Sequence, residues 1–280
     1  MKSIIIPAYN EAQLITKTLS YLLHDKVLQN THIFVMCNGC IDNTFVVVER
    51  FIVEYADTLK QQHIYLNVLA TDKASKISAI NLGLTQVIEF PVVLLDADIL
   101  VSGQNITRLV EQLQTENLHC AAPKLHFNYE KSSWWVKAYY RVAKRSRYNE
   151  KHRLSNVIAL SQGAVQKLIP LPEVIADDEY IRRQFNHQEY TIMSNISFEF
   201  ICPKNLKNLL AVLTRVERGN FQLAKLGFLD KSAAEISGFN QVNTWLVPIF
   251  IGCKLYAKFI ARIQYHLGYV FQWERDESNR

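Results

Sequence analysis

The sequence lacks both of the glycine-rich loops that commonly bind nucleotides. No Gly-x-Gly-x-x-Gly follows the first predicted strand, and no Gly-x-x-x-x-Gly-Lys-[Ser/Thr] occurs among the 280 residues. A dinucleotide-binding fold is therefore not indicated. The sequence also contains no internal repeat.

Cysteine is scarce and scattered. The five cysteines are Cys37, Cys40, Cys120, Cys202 and Cys253. Their odd number and wide spacing argue against a disulfide framework. Only Cys37 and Cys40 are close together, and the second Cys/His pair that a zinc site would need is missing. Zinc or redox chemistry at this pair is therefore not favoured.

A long apolar run is missing as well. Residues 244–253 are apolar, but Lys254, Lys258 and Arg262 then follow at intervals of four. A membrane-spanning helix needs about 20 apolar residues, so residues 244–263 predict an amphipathic helix instead. We expect this helix to lie on a membrane surface, to dock on the rest of the chain or to pair with another subunit in an oligomer.

The first residues leave no room for a signal peptide, because Met1–Pro7 starts a strand almost at once. Together with the scattered cysteines, this predicts a cytoplasmic protein, peripheral on the inner face of the cell membrane.

Charge is modest overall and unevenly placed. Hydrophobic residues make up 49% of the chain, which is ordinary for a globular protein, and the net charge is +5. Residues 131–153 carry eight basic side chains against Glu150 alone. This segment therefore has a net charge of +7, and the rest of the chain has −2.

The same basic segment is rich in aromatic residues, including two adjacent tryptophans. On a helix, Trp135, Tyr139 and Val142 fall on one face. Basic residues interleaved with aromatics suit an anionic membrane or a nucleic acid, and we favour the membrane over nucleic acid. The alternative is a solvated helix whose tryptophans pack on the sheet.

Short apolar runs alternate with helical patterns, which predicts a doubly wound, mostly parallel α/β sheet. In the first helical pattern, Asn10 is expected to be the N-cap, with Gln13 three residues later. The strands are predicted at 3–6, 32–36, 64–69, 91–95 and 120–125, and the helices after Asn10 and at 42–55, 75–88 and 104–114.

The buried strand that ends at Leu95 leads into two carboxylates, Asp96 and Asp98. Ligands bind beyond the carboxyl ends of such strands. An extended Asp-x-Asp would place both side chains on one side of the chain, where hard oxygen ligands suit a divalent cation. The alternative is that one carboxylate caps the next helix and the other is solvated.

The first strand ends in Pro7-Ala-Tyr-Asn-Glu11. Tyr9 is placed to stack on a base or, alternatively, to pack on the following helix as an ordinary turn residue.

Five segments together resemble the family 2 glycosyltransferases, in that family's order and at its approximate spacing. They are Pro7-Ala-Tyr-Asn-Glu11, Asn38-Gly-Cys-Ile-Asp-Asn-Thr44, Lys76-Ile-Ser-Ala-Ile-Asn-Leu-Gly83, Asp96-Ala-Asp98 and Asp177-Asp178-Glu-Tyr. A weaker likeness covers Thr214–Asn220, where Arg215 and Arg218 match but Val216 replaces a tryptophan.

The resemblance implies a GT-A fold and an inverting hexosyl transfer from a nucleotide-sugar donor, a UDP-sugar first, to a glycan or lipid-linked acceptor in polysaccharide biosynthesis. It implies Mn²⁺ or Mg²⁺ held by Asp98 and Asp96, and Asp178 as general base with Asp177 as second choice. The implied donor-binding residues are Pro7, Ala8, Tyr9, Glu11, Asn38, Lys76, Asp96, Ala97, Asp98, Gly163, Arg215 and Arg218.

Asn38 stands where the family has the acidic residue that reads the base, which leaves the identity of the base open. We predict a catalytic domain over residues 1–200 and a helical C-terminal extension over residues 201–280. The competing interpretations are a nucleotidyltransferase and a catalytically silent nucleotide or glycan binder.

Overall fold

The computed structural model describes residues 1–230 and 238–268 of the chain, which form two compact units. The first unit contains residues 1–124, 154–173 and 188–198, and the second contains 125–153, 174–187 and the chain from 199 onward. The units are therefore interleaved along the sequence. The last segment of the second unit begins beside the boundary predicted at residue 200, whereas its two earlier segments were not predicted.

Within the described residues, the strands are β1 (Lys2–Ala8), β2 (Thr31–Asn38), β3 (Ile64–Thr71), β4 (Val92–Leu95), β5 (Cys120–Asn128), β6 (Val157–Leu160) and β7 (Tyr190–Ile201). The helices are α1 (Ile15–Leu23), α2 (Thr44–Glu54), α3 (Ala56–Gln61), α4 (Lys76–Thr85), α5 (Gly103–Thr115), α6 (Trp134–Ala143), α7 (Gln162–Leu168), α8 (Asp177–Arg183), α9 (Leu206–Lys225) and α10 (Val247–His266). A π-helical turn spans Tyr148–His152, and a 3₁₀ turn spans Thr244–Leu246.

The seven strands form one sheet in the order β3-β2-β1-β4-β6-β5-β7. β1 pairs in parallel with both β2 and β4, and β2 pairs in parallel with β3. The predicted mostly parallel α/β sheet is confirmed. β6 runs antiparallel to β4 and β5, and neither β6 nor β7 was predicted.

Apolar runs form the centre of the sheet because both of its faces are covered. Ile4, Ile5 and Ile6 of β1 are fully buried, as expected for a parallel strand between helices. α4 lies so close to β1 that a Cβ on Gly83 would meet Ile5 Cγ2 at 2.8 Å. Gly83 is thus needed for the close approach of helix and strand.

Serine residues form the N-caps of two of the helices that cover the sheet. Ser75 Oγ accepts a hydrogen bond from Ser78 N at the start of α4, and Ser102 Oγ accepts one from Asn105 N at the start of α5. These helices lie close to the predicted ranges.

The predicted cap at Asn10 is wrong. Asn10 adopts a left-handed backbone conformation (φ 52°), and α1 begins at Ile15, five residues later. An N-cap residue has an extended backbone, so the capping pattern at residues 10–13 does not operate. The side chain of Asn10 instead accepts hydrogen bonds from a neighbouring loop.

Helices α6, α9 and α10 belong to the second unit, where α10 packs against both of the others. In α6, Tyr139 and Val142 are buried, whereas Trp134 and Trp135 are at least half exposed. Trp135, Tyr139 and Val142, which were predicted to share a face, thus have different environments. The two tryptophans are not buried. Residues 269–280, the end of the predicted C-terminal extension, lie outside the described residues.

No helix in the described part of the chain is long and apolar enough to cross a membrane.

Candidate functional site

The sheet order reverses at β1, and most of the predicted site residues of the first unit lie at that point. β2 lies on one side of β1 and β4 lies on the other, with all three strands parallel. Open α/β sheets bind ligands beyond the carboxyl ends of strands at such a reversal. Pro7 and Ala8 end β1, Asn38 ends β2, and Asp96 follows β4 directly.

Asp96, Ala97 and Asp98 form a turn rather than the extended segment that we predicted. Ile99 N donates a hydrogen bond to Asp96 O at 3.2 Å, which closes the turn. Ala97 is buried and its carbonyl accepts a hydrogen bond from Thr18 Oγ1 at 2.7 Å. Asp98 is exposed and Asp96 is half-buried. The buried alanine thus anchors two carboxylates at the edge of the sheet.

The carboxylate of Asp96 is held on both oxygens. Lys76 Nζ lies 2.8 Å from Oδ1, and Asn156 Nδ2 donates a hydrogen bond to Oδ2, also at 2.8 Å. The backbone reinforces the second contact, since Asp96 N donates to Asn156 O at 2.9 Å. Lys76 is the first residue of α4, so helix and strand together fix the orientation of this carboxylate.

Sequence reasoning missed Asn156. It precedes β6, whose first residue Val157 pairs with Leu95, so the antiparallel register brings Asn156 beside Asp96. Its backbone is left-handed (φ 61°), a conformation that asparagine tolerates better than most residues. No local sequence motif marks this position.

Gly163 is not near these carboxylates, so the structure does not bring it together with the other predicted donor-site residues of the first unit. Gly163 lies beyond the other end of β6, since Leu160 pairs with Val92 at the start of β4. The four residues of β6 span about 13 Å. Gly163 is instead an exposed residue in the first turn of α7.

The loops after β1 and β2 are joined through side chains. Asn10 Oδ1 accepts hydrogen bonds from Ile41 N at 2.7 Å and Asp42 N at 3.3 Å. In return, Asp42 Oδ2 accepts one from Ala12 N at 3.2 Å. The left-handed backbone of Asn10 therefore lets one side chain tie the first loop to the second.

Two further contacts strengthen this connection. Thr44 Oγ1 accepts a hydrogen bond from Glu11 N at 2.7 Å, where both residues are buried. Cys40 Sγ donates to Ala8 O and accepts from Asn10 N, both at 3.3 Å. The predicted site residues Ala8 and Glu11 are thereby fixed by the loop that follows β2. The role of Cys40 was not predicted.

Cys37 and Cys40 are free thiols whose side chains interact. The hydrogen bond from Cys37 stabilises the Cys40 thiolate and lowers the pKa of Cys40 to about 6. The same interaction raises the pKa of the Cys37 thiol, and burial adds to this increase. Cys40 is thus the more readily ionised of the two.

Asn38 and Gly39 occupy the bend after β2. Gly39 has φ +62°, and a Cβ there would lie 2.7 Å from the Cβ of Ala74, so the position requires glycine. The Asn38 side chain is buried, and neither of its amide atoms has a hydrogen-bond partner within the described residues. Buried polar atoms are nearly always paired, so Asn38 has unused hydrogen-bonding capacity.

The carboxylates after β4 fit a divalent cation that also binds phosphate. Mg²⁺ and Mn²⁺ take oxygen ligands, and a Mg²⁺ that holds substrate phosphates needs only one or two protein carboxylates. Asp98 is exposed next to the half-buried Asp96. No group of three or more His, Cys, Asp or Glu side chains in the described residues forms a complete metal cage. Such a cation would therefore need further oxygens from its ligand or from water.

Asp177 and Asp178 belong to the second unit, in the first turn of α8. Both are half-buried, and Asp178 Oδ1 accepts a hydrogen bond from Glu179 N at 2.7 Å. Carboxylates are favoured in the first turn of a helix by the helix dipole. The two predicted catalytic residues are thus part of a regular helix start.

Glu179, the next residue, is the centre of a buried ionic cluster. Its carboxylate accepts hydrogen bonds from Arg182 at 2.7 and 2.9 Å, Arg183 at 2.8 Å and Tyr148 Oη at 3.0 Å. Burial alone would raise the pKa of Glu179, but the two arginines outweigh it and hold that pKa below its usual value. Asp230 adds a second carboxylate, 2.5 Å from Arg182 Nη2. The cluster fixes the first turn of α8, and sequence reasoning did not find it.

Arg215 and Arg218 both lie in α9 of the second unit. Arg218 is buried and donates a hydrogen bond to Gln264 Oε1 of α10 at 3.2 Å. This contact gives Arg218 a part in packing α9 against α10. A role for either arginine toward a diphosphate stays a prediction.

Residues 3–166 match the sequence profile described as glycosyl transferase family 2. Comparison of the chain with curated proteins finds no match.

Several solved structures share the fold. A mannosyltransferase from Pyrobaculum calidifontis, in complex with GDP-Man and Mn²⁺, has a TM-score of 0.59 at 18% identity, over 96% of this chain and 75% of the other. TarS 1–349 from S. aureus, in complex with UDP-GlcNAc, has a TM-score of 0.53 at 12% identity, over 98% and 94%.

A third solved structure is glucosyl-3-phosphoglycerate synthase from Mycobacterium tuberculosis, in complex with Mn²⁺ and UDP-Glc. It has a TM-score of 0.50 at 15% identity, over 83% of this chain and 81% of the other. At such identities the likeness establishes the fold alone.

Proposed function

The chain belongs to glycosyl transferase family 2 and is a glycosyltransferase, and from that premise we propose that it transfers a hexose from a nucleoside-diphosphate sugar, with inversion at the anomeric carbon, to a glycan or lipid-linked acceptor. The reaction is proposed to serve polysaccharide biosynthesis on the cytoplasmic side of the membrane.

The observation that carries the proposal is the anchored pair Asp96 and Asp98 at the point where the sheet order reverses. Lys76 brings a positive charge to Asp96, and Asn156 holds its second oxygen. An anionic diphosphate is attracted by such a lysine, and its oxygens complete the ligands of a cation that two carboxylates begin to bind. The arrangement therefore suits a diphosphate leaving group.

Asp98, with Asp96, would hold Mn²⁺ or Mg²⁺. The bound cation would act as a Lewis acid that stabilises negative charge on the departing diphosphate. Complexes of two fold neighbours with Mn²⁺, one with GDP-Man and the other with UDP-Glc, support this choice of cofactor and donor class.

The nucleobase is proposed to bind near the ends of β1 and β2. Tyr9 is half-buried and supplies an aromatic ring for stacking. The unpaired amide of Asn38 can both donate to and accept from a base edge. We place UDP-sugars first among the possible donors, because one fold neighbour is bound to UDP-GlcNAc and another to UDP-Glc. A third neighbour is bound to GDP-Man.

Transfer with inversion requires a base to take the proton from the acceptor hydroxyl. Asp178 is our first choice for this base and Asp177 is the second. Glu179 accepts hydrogen bonds from two arginines and a tyrosine, so it is not available as the general base. The hydrogen bond from Glu179 N to Asp178 Oδ1, 2.7 Å long, holds the Asp178 carboxylate at the start of α8.

A thermal-shift panel tests the donor part of the proposal. Each of UDP, GDP, CDP and dTDP is added to the protein with Mn²⁺, with Mg²⁺ or with EDTA. We expect one diphosphate to raise the melting temperature in the presence of either metal and to have little effect in EDTA. Asp98→Asn should abolish the metal-dependent increase. An equal increase in EDTA would contradict the role of Asp98, and no increase with any nucleotide would contradict donor binding.

A further inference from the structure

The outward face of α10 carries a continuous row of apolar side chains. Ile251, Leu255, Phe259 and Ile263 follow one another at intervals of four, which places them on one side of the helix. Leu255 is 61% exposed and Phe259 is 64% exposed. Single exposed apolar residues are ordinary, but a contiguous row of four on one helix face marks an interaction surface.

The inward face of the same helix is made of small residues. Cys253, Ala257 and Ala261 are buried, and α10 packs against α9 along this side. Lys254 Nζ lies 2.6 Å from Glu217 Oε1 of α9, and Phe221 of α9 meets the ring of Tyr265 at 4.7 Å. The packing of α10 on its own unit therefore leaves its larger apolar residues outside.

The charge beside the apolar row is entirely positive. Lys258 and Arg262 are exposed on the same helix. Between residues 239 and 268 the sequence contains no aspartate or glutamate. An anionic partner is therefore favoured over a neutral or basic one.

Helix α6 of the same unit has a similar composition. Its Trp134 and Trp135 are 56% and 50% exposed, and α6 packs on α10 through the stacked rings of Tyr139 and Phe250, 5.0 Å apart. The segment around α6 also carries a group of exposed basic side chains, namely Lys131, Arg141, Lys144, Arg145, Arg147 and Lys151. Tryptophan is favoured at the boundary between lipid and water.

We propose that the outward face of α10 lies on an anionic lipid surface, with Leu255 and Phe259 entering the acyl boundary and Lys258 and Arg262 contacting the headgroups. A second copy of this chain is a poorer occupant, because a twofold contact would bring like charges together. A nucleic acid is also poorer, because three of the four side chains in the row offer no ring on which bases stack. This inference concerns binding to lipid and does not depend on sugar transfer.

Sedimentation of the full chain with lipid vesicles tests the proposal. The probes are vesicles of phosphatidylcholine alone and of phosphatidylcholine mixed with phosphatidylglycerol. We expect binding to the mixed vesicles that weakens as salt increases. The double substitution Leu255→Ser with Phe259→Ser should weaken that binding at least about tenfold, because it removes two large apolar side chains. Lys258→Glu with Arg262→Glu should remove the preference for the anionic lipid.

Matched controls come from the first unit. Val53, 77% exposed on α2, and Ile88, 74% exposed, provide an apolar pair for Val53→Ser with Ile88→Ser. Lys17 and Lys60 are exposed and provide a charge pair for Lys17→Glu with Lys60→Glu. Both control variants should bind the mixed vesicles like the parent.

Three results would overturn the proposal. The first is a lack of binding to mixed vesicles. The second is equal binding by the parent and the Leu255/Phe259 variant. The third is a dimer, seen by sedimentation velocity without lipid, that this variant dissociates. Circular dichroism and melting temperature of each variant establish that it is folded, so a loss of binding is not a loss of structure.

Discussion

Lys76 Nζ lies 2.8 Å from Asp96 Oδ1, and both side chains are mostly buried, at 19% and 24% exposure. A lysine at the first position of a helix is unfavourable for the helix dipole, and the carboxylate beside it offsets that cost. The pair therefore fixes the position of the Lys76 ammonium beside the carboxylate at which the diphosphate is proposed to bind.

Replacing Lys76 with methionine should lower kcat/KM by about 10- to 100-fold, because a charge-assisted contact to a phosphate contributes about 1.5–3 kcal/mol. The free energy of unfolding should fall only modestly, because Asn156 continues to hold the second oxygen of Asp96 when the lysine is lost. Lys73→Met is the matched control, as Lys73 pairs with Glu173 on the surface. Steady-state kinetics and urea unfolding measure the two quantities. Equal kinetic losses in both variants would contradict a specific role for Lys76.

Replacing Asn156 with glycine should weaken the binding of Mn²⁺ in the presence of nucleotide by roughly tenfold, because outer-sphere hydrogen bonds orient metal ligands. Glycine tolerates the left-handed backbone at this position, so only the amide is lost. Electron paramagnetic resonance of free Mn²⁺ gives the affinity directly. Asn117→Gly, at an exposed left-handed residue (φ 51°), should leave it unchanged. An unchanged Mn²⁺ affinity in the Asn156 variant would show that Asp96 needs no such support.

Asp178→Asn should reduce kcat by roughly 10²- to 10⁴-fold, the usual contribution of a general base. The amide oxygen can accept the same hydrogen bond from Glu179 N, so the fold and nucleotide affinity should stay as in the parent. Asp177→Asn should have a smaller effect. Single-turnover transfer and calorimetric nucleotide titration separate the two properties. If Asp177→Asn loses transfer and Asp178→Asn keeps it, the assignment of the base is reversed.

Glu179→Gln should destabilise the protein by about 3–5 kcal/mol at neutral pH, because it leaves buried Arg182 without its main counter-charge. The folded-state pKa of Glu179 is held below its unfolded value. Its contribution is therefore complete above the unfolded pKa and is lost as pH falls through the folded pKa.

Urea unfolding of the parent and this variant, from neutral pH into the acid range, measures the difference in stability. That difference should shrink only in acid, below the ordinary range of glutamate titration. Glu49→Gln, on exposed α2, serves as the control and should show little difference at any pH. A stability difference between parent and variant that stays constant into the acid range would contradict the proposed coupling between Glu179 ionisation and folding.

The parallel half of the sheet could be predicted because its signals are local. Ile4–Ile6 and Val92–Leu95 are short apolar runs, and each leads into polar residues that the fold places together. The predicted GT-A fold is confirmed by the family profile and the fold neighbours. Asp96 and Asn38 could be assigned to strand ends for the same reason.

Asn156 and the Glu179 cluster could not be predicted, because their partners are distant in the sequence. Asn156 reaches Asp96 only through the antiparallel register of β6. Arg182 meets Asp230 across 48 positions, and no periodicity encodes that distance. At Asn10 a local rule gave the wrong answer, since a capping pattern also fits a left-handed residue that binds a neighbouring loop.

The second unit consists of three separate stretches of the chain. The first two are inserted in the sequence between stretches of the first unit. A fragment cut at residue 200 would therefore carry residues 125–153 and 174–187 without the helices α9 and α10 that complete their unit. Moving this unit onto a relative would require three simultaneous grafts, at residues 125–153, 174–187 and from 199 onward. Chimeras made with a single crossover between two relatives would combine parts of two different second units. Substitutions confined to the three stretches would instead vary the second unit and leave Asp96, Lys76 and Asn156 unchanged.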